Sequence, residues 1–482
     1  MLSVIHVLGS MLMMFSMTYA LPVATTVLYQ DGHLGDFLIA AASCLVTGGV
    51  LWRVTLPHKR ELRSRDGFLL VTLGWILMSA IGSIPLLVAL PGLSFTDAFF
   101  ETLSGLSTTG ATVLVGIEHL PPSINLWRHA LQWYGGMGII VLVVAILPLL
   151  GVGGMQMYKA ETPGPMKTDK LTPRIAQTAK ALWFVYFLIT VACIVALHVA
   201  GMEWFDAICH AFSTLSLGGF STYDASVGHF ESPHIEAVLI VFMLIAAMNF
   251  SRHFIAWQKK SLRTYLTDVE ARTLLLLVGL STLGLAIYVW ILGVYESFWT
   301  ALRHVAFNLV SIATDCGFAS QDYAAWPMLA PIWILMLSCY SANTGSTGGG
   351  IKMFRTLVLF KQATREMLML VHPAAVAPVR VGGQVVQNQV VFAVLAFVVL
   401  YFGTVVVLTF ALLASGLDFI SAFSAIIACI NNAGPGLGTV GPANNYQGLS
   451  DLQTWICAVA MLLGRLEIFS VLVLLTPMYW RK

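Results

Sequence analysis

Long, nearly uncharged apolar runs restrict this chain to a structure that lies within a lipid bilayer. Hydrophobic residues occupy 58% of its 482 positions and charged residues only 10%, whereas a soluble domain carries roughly 25% charged residues. Several runs approach the ~20 residues that cross a bilayer as a helix. They are 67–90, 178–200, 235–250, 274–292, 390–414 and 454–477. The sequence therefore predicts an all-α integral membrane protein with about ten transmembrane helices.

The basic residues are distributed unevenly along these predicted crossings. If the chain starts in the cytoplasm and crosses ten times, all but three of its 25 Lys and Arg residues fall on the inner side. The exceptions are Arg128, Arg303 and Arg465. Because basic loops are retained in the cytoplasm, we expect both termini to lie there.

One unit occurs four times after two leading helices at about 1–29 and 34–56. Each unit has a helix, a short amphipathic segment, a glycine-rich loop and a second helix. The amphipathic segments contain about 12 residues, too few to cross a bilayer, and therefore predict re-entrant half-helices. The loop glycines Gly110, Gly219, Gly317 and Gly434 each follow an apolar residue by twelve positions, namely Ala98, Ala207, Val305 and Ala422.

This shared spacing favours one aqueous pathway. Non-helical backbone at membrane depth is tolerated only where it is buried in protein or lines a water-filled cavity, so four equivalent loops are expected to meet at one pore. The alternative is four ordinary outer turns that need glycine for their own geometry, but it does not explain the equal spacing. The predicted boundaries are 1–60 for the leading helices and 61–160, 161–265, 266–375 and 376–482 for the four pore repeats.

The loops have the chemistry to hold a dehydrated monovalent cation. Such an ion needs several oxygen ligands without a full opposing charge, because a strongly bound ion would not leave again. Backbone carbonyls provide these ligands, and glycine allows the φ > 0 conformations that turn successive carbonyls inward. The predicted ligands are the carbonyl oxygens of Thr108, Thr109, Gly110, Leu217, Gly218, Gly219, Asp315, Cys316, Gly317, Asn432, Ala433 and Gly434.

The half-helices would add a negative potential at the same place, since each C-terminal end carries a partial charge of about −0.5. Seven carboxylates on the predicted outer side are expected to act mainly as half-helix caps or solvated residues, with a weak attraction for cations in addition. They are Asp97, Glu101, Glu203, Asp206, Glu231, Asp322 and Asp418.

The loop motifs together resemble a known family. STTGAT, SLGGFS, TDCGFAS and NNAGPGLG, with NTGSTGGGIK at 343–352 and GRLE at 464–467, are similar to the Trk/Ktr/HKT superfamily of potassium transporters over nearly the whole chain. Its length and its two leading helices make the chain most similar to the bacterial members of this superfamily. The resemblance implies four pseudo-symmetric repeats of helix, re-entrant pore loop and helix around one pore.

The resemblance also implies which ion is transported. In this superfamily a serine at the first loop glycine accompanies sodium transport, whereas glycine in all four loops, as here, accompanies potassium transport. Potassium is then the ion at the loop carbonyls, and no organic cofactor is expected in this chain. The third loop departs from the family pattern, because Asp315 and Cys316 stand where threonines are common. Whether the Asp315 carboxylate faces the ion stays open.

A glycine cluster interrupts the apolar stretch between Trp333 and Phe360. Since a glycine costs about 1 kcal/mol in a helix interior, the cluster predicts an irregular segment that can move. The resemblance implies that this segment, 343–350, is a gate below the loops, formed by Gly345, Ser346, Thr347, Gly348, Gly349 and Gly350. The alternative is a simple loop at the cytoplasmic boundary.

Arg465 lies within the last apolar stretch. A charge at that depth normally faces a polar interior or a partner, and Glu467, two residues on, points to a different helix face. The resemblance implies a position near the gate loop. We therefore predict that Arg465 lines the pore, with a buried structural ion pair as the alternative.

The resemblance implies potassium translocation in the inner membrane of a bacterium. It further implies a homodimer and a separate cytoplasmic nucleotide-binding subunit of the RCK type, with membrane lipid and without nucleic acid as a partner. A secondary transporter of another cation such as sodium, or of a small solute, is the alternative, and it would show inverted repeats. The dispersed histidines and scattered cysteines form no catalytic or metal-ligand pattern, so an enzyme is not predicted.

Overall fold

The computed structural model describes residues 1–58, 60, 62–141, 171–340 and 342–481. The predicted boundary between the first two repeats, at 160–161, and residue 61, the predicted start of the first repeat, lie outside these residues. Those boundaries therefore remain predictions.

The described elements follow the predicted order of leading helices and four repeats. The leading helices are Leu2–Phe15, Ala20–Tyr29 and Leu34–Thr55. The first repeat contains Ser64–Gly82, Ile84–Ala89, Phe95–Leu106 and Pro122–Val141. The second contains Leu171–Val199, Trp204–Ser216, Pro233–Ala246, Phe250–Lys259 and Arg263–Leu266.

The third and fourth repeats have the same order. The third contains Val269–Ile291, Phe298–Ala313, Leu329–Ser338 and Met353–Val371. A two-stranded antiparallel hairpin, Arg380–Val381 with Gln384–Val385, lies at the start of the fourth. The fourth contains Asn388–Ala414, Phe419–Asn431, Asp451–Arg465, Ile468–Leu475 and Pro477–Trp480.

The length and hydropathy of these helices support the predicted membrane architecture. Six described helices are long and apolar enough to cross a bilayer, and two bent pairs bring the number to eight. Pro122–Val141 and Leu329–Ser338 occupy the places of the two remaining predicted crossings, in the first and third repeats. The first of these is less apolar because it carries buried polar side chains, and the second is short because the glycine cluster follows it.

Each repeat contains one short, almost wholly buried helix, and we call these four the half-helices. They are Phe95–Leu106, Trp204–Ser216, Phe298–Ala313 and Phe419–Asn431. The Ser94 and Asp418 side chains cap the first and the fourth by accepting from Asp97 N and Ser421 N, both at 3.0 Å. Side-chain caps of this kind satisfy the free N–H groups of a helix start.

The third half-helix begins one turn earlier than the shared spacing predicts. Phe95, Trp204 and Phe419 each lie 15 positions before their loop glycine. The aligned position before Gly317 is Leu302, but the helix starts at Phe298. The Ser297 hydroxyl accepts a hydrogen bond from Trp299 N at 3.3 Å, so a cap lies upstream of the aligned position. The first, second and fourth half-helices start at the aligned residues.

The long helices surround the half-helices and expose large apolar side chains on their outer faces. Val199, Leu280, Ile291 and Phe410 are examples. In water, contiguous apolar exposure of this kind would be unfavourable, but hydrocarbon solvates it. The half-helices and their loops therefore form the centre of the protein, and lipid-facing helices form its periphery.

Candidate functional site

The four glycine loops share one backbone conformation. The glycines adopt the expected positive φ, with +80° at Gly110, +77° at Gly219, +90° at Gly317 and +86° at Gly434. The residue two positions before each glycine also has a left-handed backbone conformation, although it is not a glycine. These residues are Thr108, Leu217, Asp315 and Asn432, with φ between 54° and 64°. A left-handed residue commonly terminates a helix, so each half-helix ends directly at its loop.

One hydrogen bond repeats in all four loops. The residue before each glycine donates its backbone N–H to the carbonyl five positions earlier, at 2.8 Å in every case. The pairs are Thr109 to Ser104, Gly218 to Ser213, Cys316 to Ser311, and Ala433 to Ala428. Because the main chain makes these bonds, the loops can share a conformation although their side chains differ.

The loops approach one another in a closed ring, which we call the glycine ring. A Cβ placed on each glycine would collide with the carbonyl oxygen of the residue before the glycine of the next loop. The approaches are Gly110 to Gly218 O, Gly219 to Cys316 O, Gly317 to Ala433 O, and Gly434 to Thr109 O. The fourth approach returns to the first loop. Glycine is required at these positions both for its φ and for the missing side chain.

Polar contacts join neighbouring loops around the ring. Asn432 Nδ2 donates to Thr109 Oγ1 at 2.9 Å and so joins the fourth loop to the first. Gly116 N donates to Asp224 Oδ2 at 2.7 Å, and Gly228 N donates to Ala319 O at 3.1 Å. These bonds join the first loop region to the second, and the second to the third. Adjacent repeats therefore hold each other in register.

Two of the twelve predicted carbonyl ligands accept hydrogen bonds from side chains. Gln132 Nε2 donates to Gly218 O at 2.6 Å, and the Tyr446 hydroxyl donates to Gly434 O at 2.9 Å. A carbonyl oxygen has two lone pairs, so each retains one. These bonds fix the direction of both carbonyls.

A cavity opens on one side of the glycine ring, and all four ring glycines line it. Tyr223 also lines it and donates its hydroxyl to Asp206 Oδ2 at 3.1 Å. Burial and the nearby Asp206 carboxylate raise the pKa of Tyr223 to about 12, so this phenol stays a protonated donor at neutral pH. The ring glycines are therefore reached through a polar vestibule.

A buried ion pair supports the first two loops from behind. Arg128 Nε donates to Glu101 Oε1 at 2.8 Å, and both side chains are at most 1% exposed. Glu101 Oε2 accepts from Val113 N at 3.1 Å, while an Arg128 amino group donates to Ser221 O at 3.3 Å. The pair thus connects the chain after Gly110 to the chain after Gly219.

The roles of Arg128 and Gln132 were not predicted, although the sequence carries a signal for them. Asn125, Arg128, His129 and Gln132 have the spacing of one helix face, and all four are buried. A polar stripe on a helix within an otherwise apolar protein indicates a face turned toward a polar centre. Arg128 was also one of the three exceptions to the charge asymmetry.

The seven carboxylates that were predicted on the outer side divide into two groups. Asp418 caps the fourth half-helix as expected, and Asp97 accepts from the Ser94 hydroxyl at the start of the first. Asp322 instead caps the short turn Tyr323–Ala325, and Glu203 and Glu231 are exposed as expected. Glu101 and Asp206 differ, since both are buried and hold outer loop residues. Their role is structural.

The glycine-rich segment 343–350 interrupts the third repeat where predicted, between Leu329–Ser338 and Met353–Val371. It packs against the C-terminal ends of three half-helices. Thr347 Oγ1 donates to Leu215 O at 3.1 Å. A Cβ on Gly348 would lie 3.1 Å from Thr314 O, and one on Gly349 would collide with Asn431 O. The segment therefore lies directly against the elements that carry the ring.

Arg465 contacts this segment. It ends the helix Asp451–Arg465, where the chain turns by 114° into Ile468–Leu475, so it lies at a helix break and not in the middle of a straight crossing. The side chain is buried and donates to Thr347 O at 3.0 Å and to Gly135 O at 2.8 Å. Glu467 forms its ion pair with Arg355, at 2.9 Å, and not with Arg465.

A second helix break holds the other end of the segment. The chain turns by 95° between Pro233–Ala246 and Phe250–Lys259. Phe250 N donates to Gly345 O at 3.1 Å, and Asn343 N donates to Ala247 O at 3.2 Å. A cavity adjoins the segment and is also lined by Asn432 and Arg465. Backbone groups freed at the breaks are thus used to hold the segment.

Comparisons with known proteins give a consistent result along the whole chain. The family model described as TrkH, cation transport protein, matches residues 33–482. The Trk system potassium uptake protein TrkH of Vibrio parahaemolyticus is 47% identical, with 100% of this chain and 99% of that protein covered. The protein of the same name from Escherichia coli is 44% identical over 100% and 99% of the two chains.

A solved structure agrees with the fold. The crystal structure of the potassium transporter TrkH from Vibrio parahaemolyticus matches with a TM-score of 0.92 at 44% identity, over 100% of this chain and 99% of that one. The expected fold class, an all-α membrane protein of pore repeats, is thereby confirmed. The chain belongs to the TrkH family of cation transport proteins, which are multi-pass membrane transporters and not enzymes.

Proposed function

We propose that this protein carries potassium ions selectively across a membrane through the glycine ring. The observation that carries the proposal is the closed set of four approaches, in which each ring glycine faces a carbonyl oxygen of the next loop. Twelve carbonyls from four loops would then surround one axis and replace the hydration shell of the ion. Relatives across the full length of the chain are named potassium uptake proteins.

The charge of the site suits a monovalent cation. Four half-helices end at the ring, and each C-terminal end contributes a partial negative charge. The ligands are neutral carbonyls, so an ion can bind and also leave. Glycine at all four ring positions favours potassium over sodium, because in the Trk/Ktr/HKT superfamily, which the loops resemble, a serine at the first of these positions accompanies sodium transport.

We further propose that segment 343–350 is the gate. It lies against the ends of three half-helices, and few apolar side chains anchor it. Two helix breaks and Arg465 hold it by backbone hydrogen bonds, which can be exchanged for water when the segment moves. When these hydrogen bonds break and the segment moves, the path between the ring and the adjoining cavity would open.

We propose that a separate cytoplasmic subunit, which binds nucleotide, controls this gate. The relatives are named as parts of a Trk system, which supports an assembly of several components. We also propose a homodimer in a bacterial inner membrane, with both termini in the cytoplasm. The charge asymmetry of the loops supports this orientation.

Ion flux tests the proposal directly. Purified protein is reconstituted in liposomes, and the uptake of potassium or rubidium is compared with that of sodium under the same electrical driving force. We expect the potassium and rubidium fluxes to be well above the sodium flux. Equal sodium and potassium fluxes would contradict the proposed selectivity.

A further inference from the structure

We infer that Asp315 and Lys352 act together as a latch that holds the glycine-rich segment closed against the third loop. The inference deepens the proposed function, since it depends on segment 343–350 being the gate. It assigns a role to a carboxylate whose direction the sequence left open. Asp315 is a positioning residue in this account, and its side chain does not bind the transported ion.

The latch grips a single peptide group from both ends. Gly349 N donates to Asp315 Oδ2 at 3.0 Å, and Lys352 Nζ donates to Gly348 O. Those two backbone atoms belong to the peptide bond that joins Gly348 to Gly349. A carboxylate therefore meets the positive end of the peptide dipole and an ammonium group meets its negative end. Hydrogen bonds in which one partner is ionised are roughly twice as strong as neutral ones.

Burial increases the effect of the Asp315 contact. Asp315 is fully buried, and within the described chain its second oxygen, Oδ1, has no hydrogen-bond partner. Its carboxylate therefore depends on the Gly349 N–H for the hydrogen bonding that it receives from the protein. In a low-dielectric interior, removing one partner of such a contact is costly. The hydrogen bond from Gly349 N to Asp315 Oδ2 thus favours the closed position of the segment.

The local backbone explains why these two side chains reach the peptide. Asp315 occupies the left-handed position that ends the third half-helix, with φ of +64°, and Lys352 is also left-handed, with φ of +71°. The conformation at Lys352 turns the chain just before the helix Met353–Val371, so its side chain reaches back over the segment. A Cβ on Gly348 would lie 3.3 Å from Asp315 Oδ2, so glycine lets the carboxylate approach closely.

Among the residues that the structure describes, the other three loops make no equivalent contact. Thr108, Leu217 and Asn432 occupy the same left-handed position, and none of them is ionisable. Asn432 donates to Thr109 Oγ1 and to Met461 O, so it joins the fourth loop to its neighbours and not to the segment. Asp315 is thus the one ionisable residue among these four, and it contacts the glycine-rich segment.

The test measures basal potassium flux in liposomes that contain the purified full chain and no regulatory subunit. Asp315→Asn keeps the shape and removes the charge, and Lys352→Met removes the ammonium group. Each variant is expected to raise basal flux about tenfold, which is the shift expected when a charged hydrogen bond that favours one of two states is weakened. Asp36→Asn and Lys361→Met are the matched controls, since both lie away from the segment, and neither is expected to change the flux.

Two further readouts distinguish a latch from general damage. The potassium-over-sodium ratio is expected to stay unchanged in both variants. The double variant is expected to resemble the single ones, because both side chains hold the same peptide and their effects are then not additive. An unchanged basal flux in both single variants, in protein that remains potassium-selective, would overturn the latch and leave the proposed function standing.

Other results separate the remaining possibilities. If Asp315→Asn lowers the potassium-over-sodium ratio, the carboxylate belongs to ion selection and the latch is wrong. If the unmutated protein does not select potassium, the proposed function itself fails. Should Asp315→Asn not yield folded protein, the flux of Lys352→Met alone decides, since that side chain is only partly buried.

Discussion

Gln132 Nε2 donates a hydrogen bond to Gly218 O at 2.6 Å, and its Oε1 accepts one from Phe220 N at 3.2 Å. One side chain of the first repeat thus spans the ring glycine of the second repeat, Gly219. The side chain is fully buried, so water does not compete for these bonds. The second loop depends on the first repeat for its position.

Replacement of Gln132 is expected to loosen the second loop. Gln132→Leu leaves Gly218 O and Phe220 N without this partner, at a cost of about 1–3 kcal/mol for a buried polar group. Since 1.4 kcal/mol corresponds to a factor of ten, we expect the potassium-over-sodium flux ratio to fall by up to about tenfold. Gln362→Leu, on an exposed part of Met353–Val371, is the control. A ratio that stays at the unmutated value in Gln132→Leu would show that this amide does not hold the loop.

The Glu101–Arg128 pair is expected to contribute mainly to stability. Removing one partner leaves a buried charge uncompensated, which typically costs about 3–5 kcal/mol. We therefore expect Glu101→Gln or Arg128→Met to lower the thermal unfolding midpoint in detergent strongly, and the double variant to cost less than the two single changes together. The matched comparison is Arg303→Met, because the Arg303 side chain is 32% exposed in its pair with Glu236 and solvent screens such a pair. Equal losses at both sites would contradict the argument from burial.

Arg465 is expected to hold segment 343–350, the proposed gate, closed through Thr347 O and Gly135 O. Arg465→Gln shortens the side chain and removes the charge from both hydrogen bonds, each worth about 1.5–3 kcal/mol. We predict a rise of about tenfold in basal potassium flux in liposomes, with the ion preference retained. The control is Arg272→Gln, whose side chain is exposed. Unaltered flux in Arg465→Gln would assign this residue to packing alone.

Two helical glycines provide a test of close packing. A Cβ on Gly464 would collide with Ile430 O of the fourth half-helix, whereas a Cβ on Gly403 meets nothing within 4 Å. Gly464→Ala is therefore expected to destabilise the protein by about 1–3 kcal/mol through overpacking. Gly403→Ala is expected to stabilise it by up to about 1 kcal/mol, because alanine is the better helix former. Thermal unfolding in detergent measures both, and a destabilised Gly403→Ala with a tolerated Gly464→Ala would contradict the packing described here.

The sequence predicted the features that depend on local pattern. Apolar runs, short amphipathic segments and evenly spaced glycines gave the helices, the half-helices and the ring positions, because each is determined within about 20 residues. The glycine φ values followed from the chemistry of the loop. The early start of the third half-helix was missed, because the Ser297 cap lies outside the repeated spacing.

Contacts between distant residues could not be predicted in the same way. Gln132 and Gly218 are 86 positions apart, and Arg465 and Gly135 are 330 positions apart. Such pairs depend on how whole repeats pack, and one sequence does not specify that. The direction of the Asp315 carboxylate likewise depends on the position of Gly349 in space. The sequence does mark the participants, since each is a polar residue in an apolar setting.

The glycine ring is tested most directly by serine substitution at each of its four members. Gly110→Ser, Gly219→Ser, Gly317→Ser and Gly434→Ser each place a side chain against a carbonyl of the next loop. Gly416→Ser is the control, because Gly416 also has a positive φ, +94°, but its Cβ would meet nothing within 4 Å. We expect every ring variant to reduce the potassium-over-sodium flux ratio in liposomes, and Gly416→Ser to leave it unchanged. Four ring variants that select potassium as well as the unmutated protein does would contradict the account.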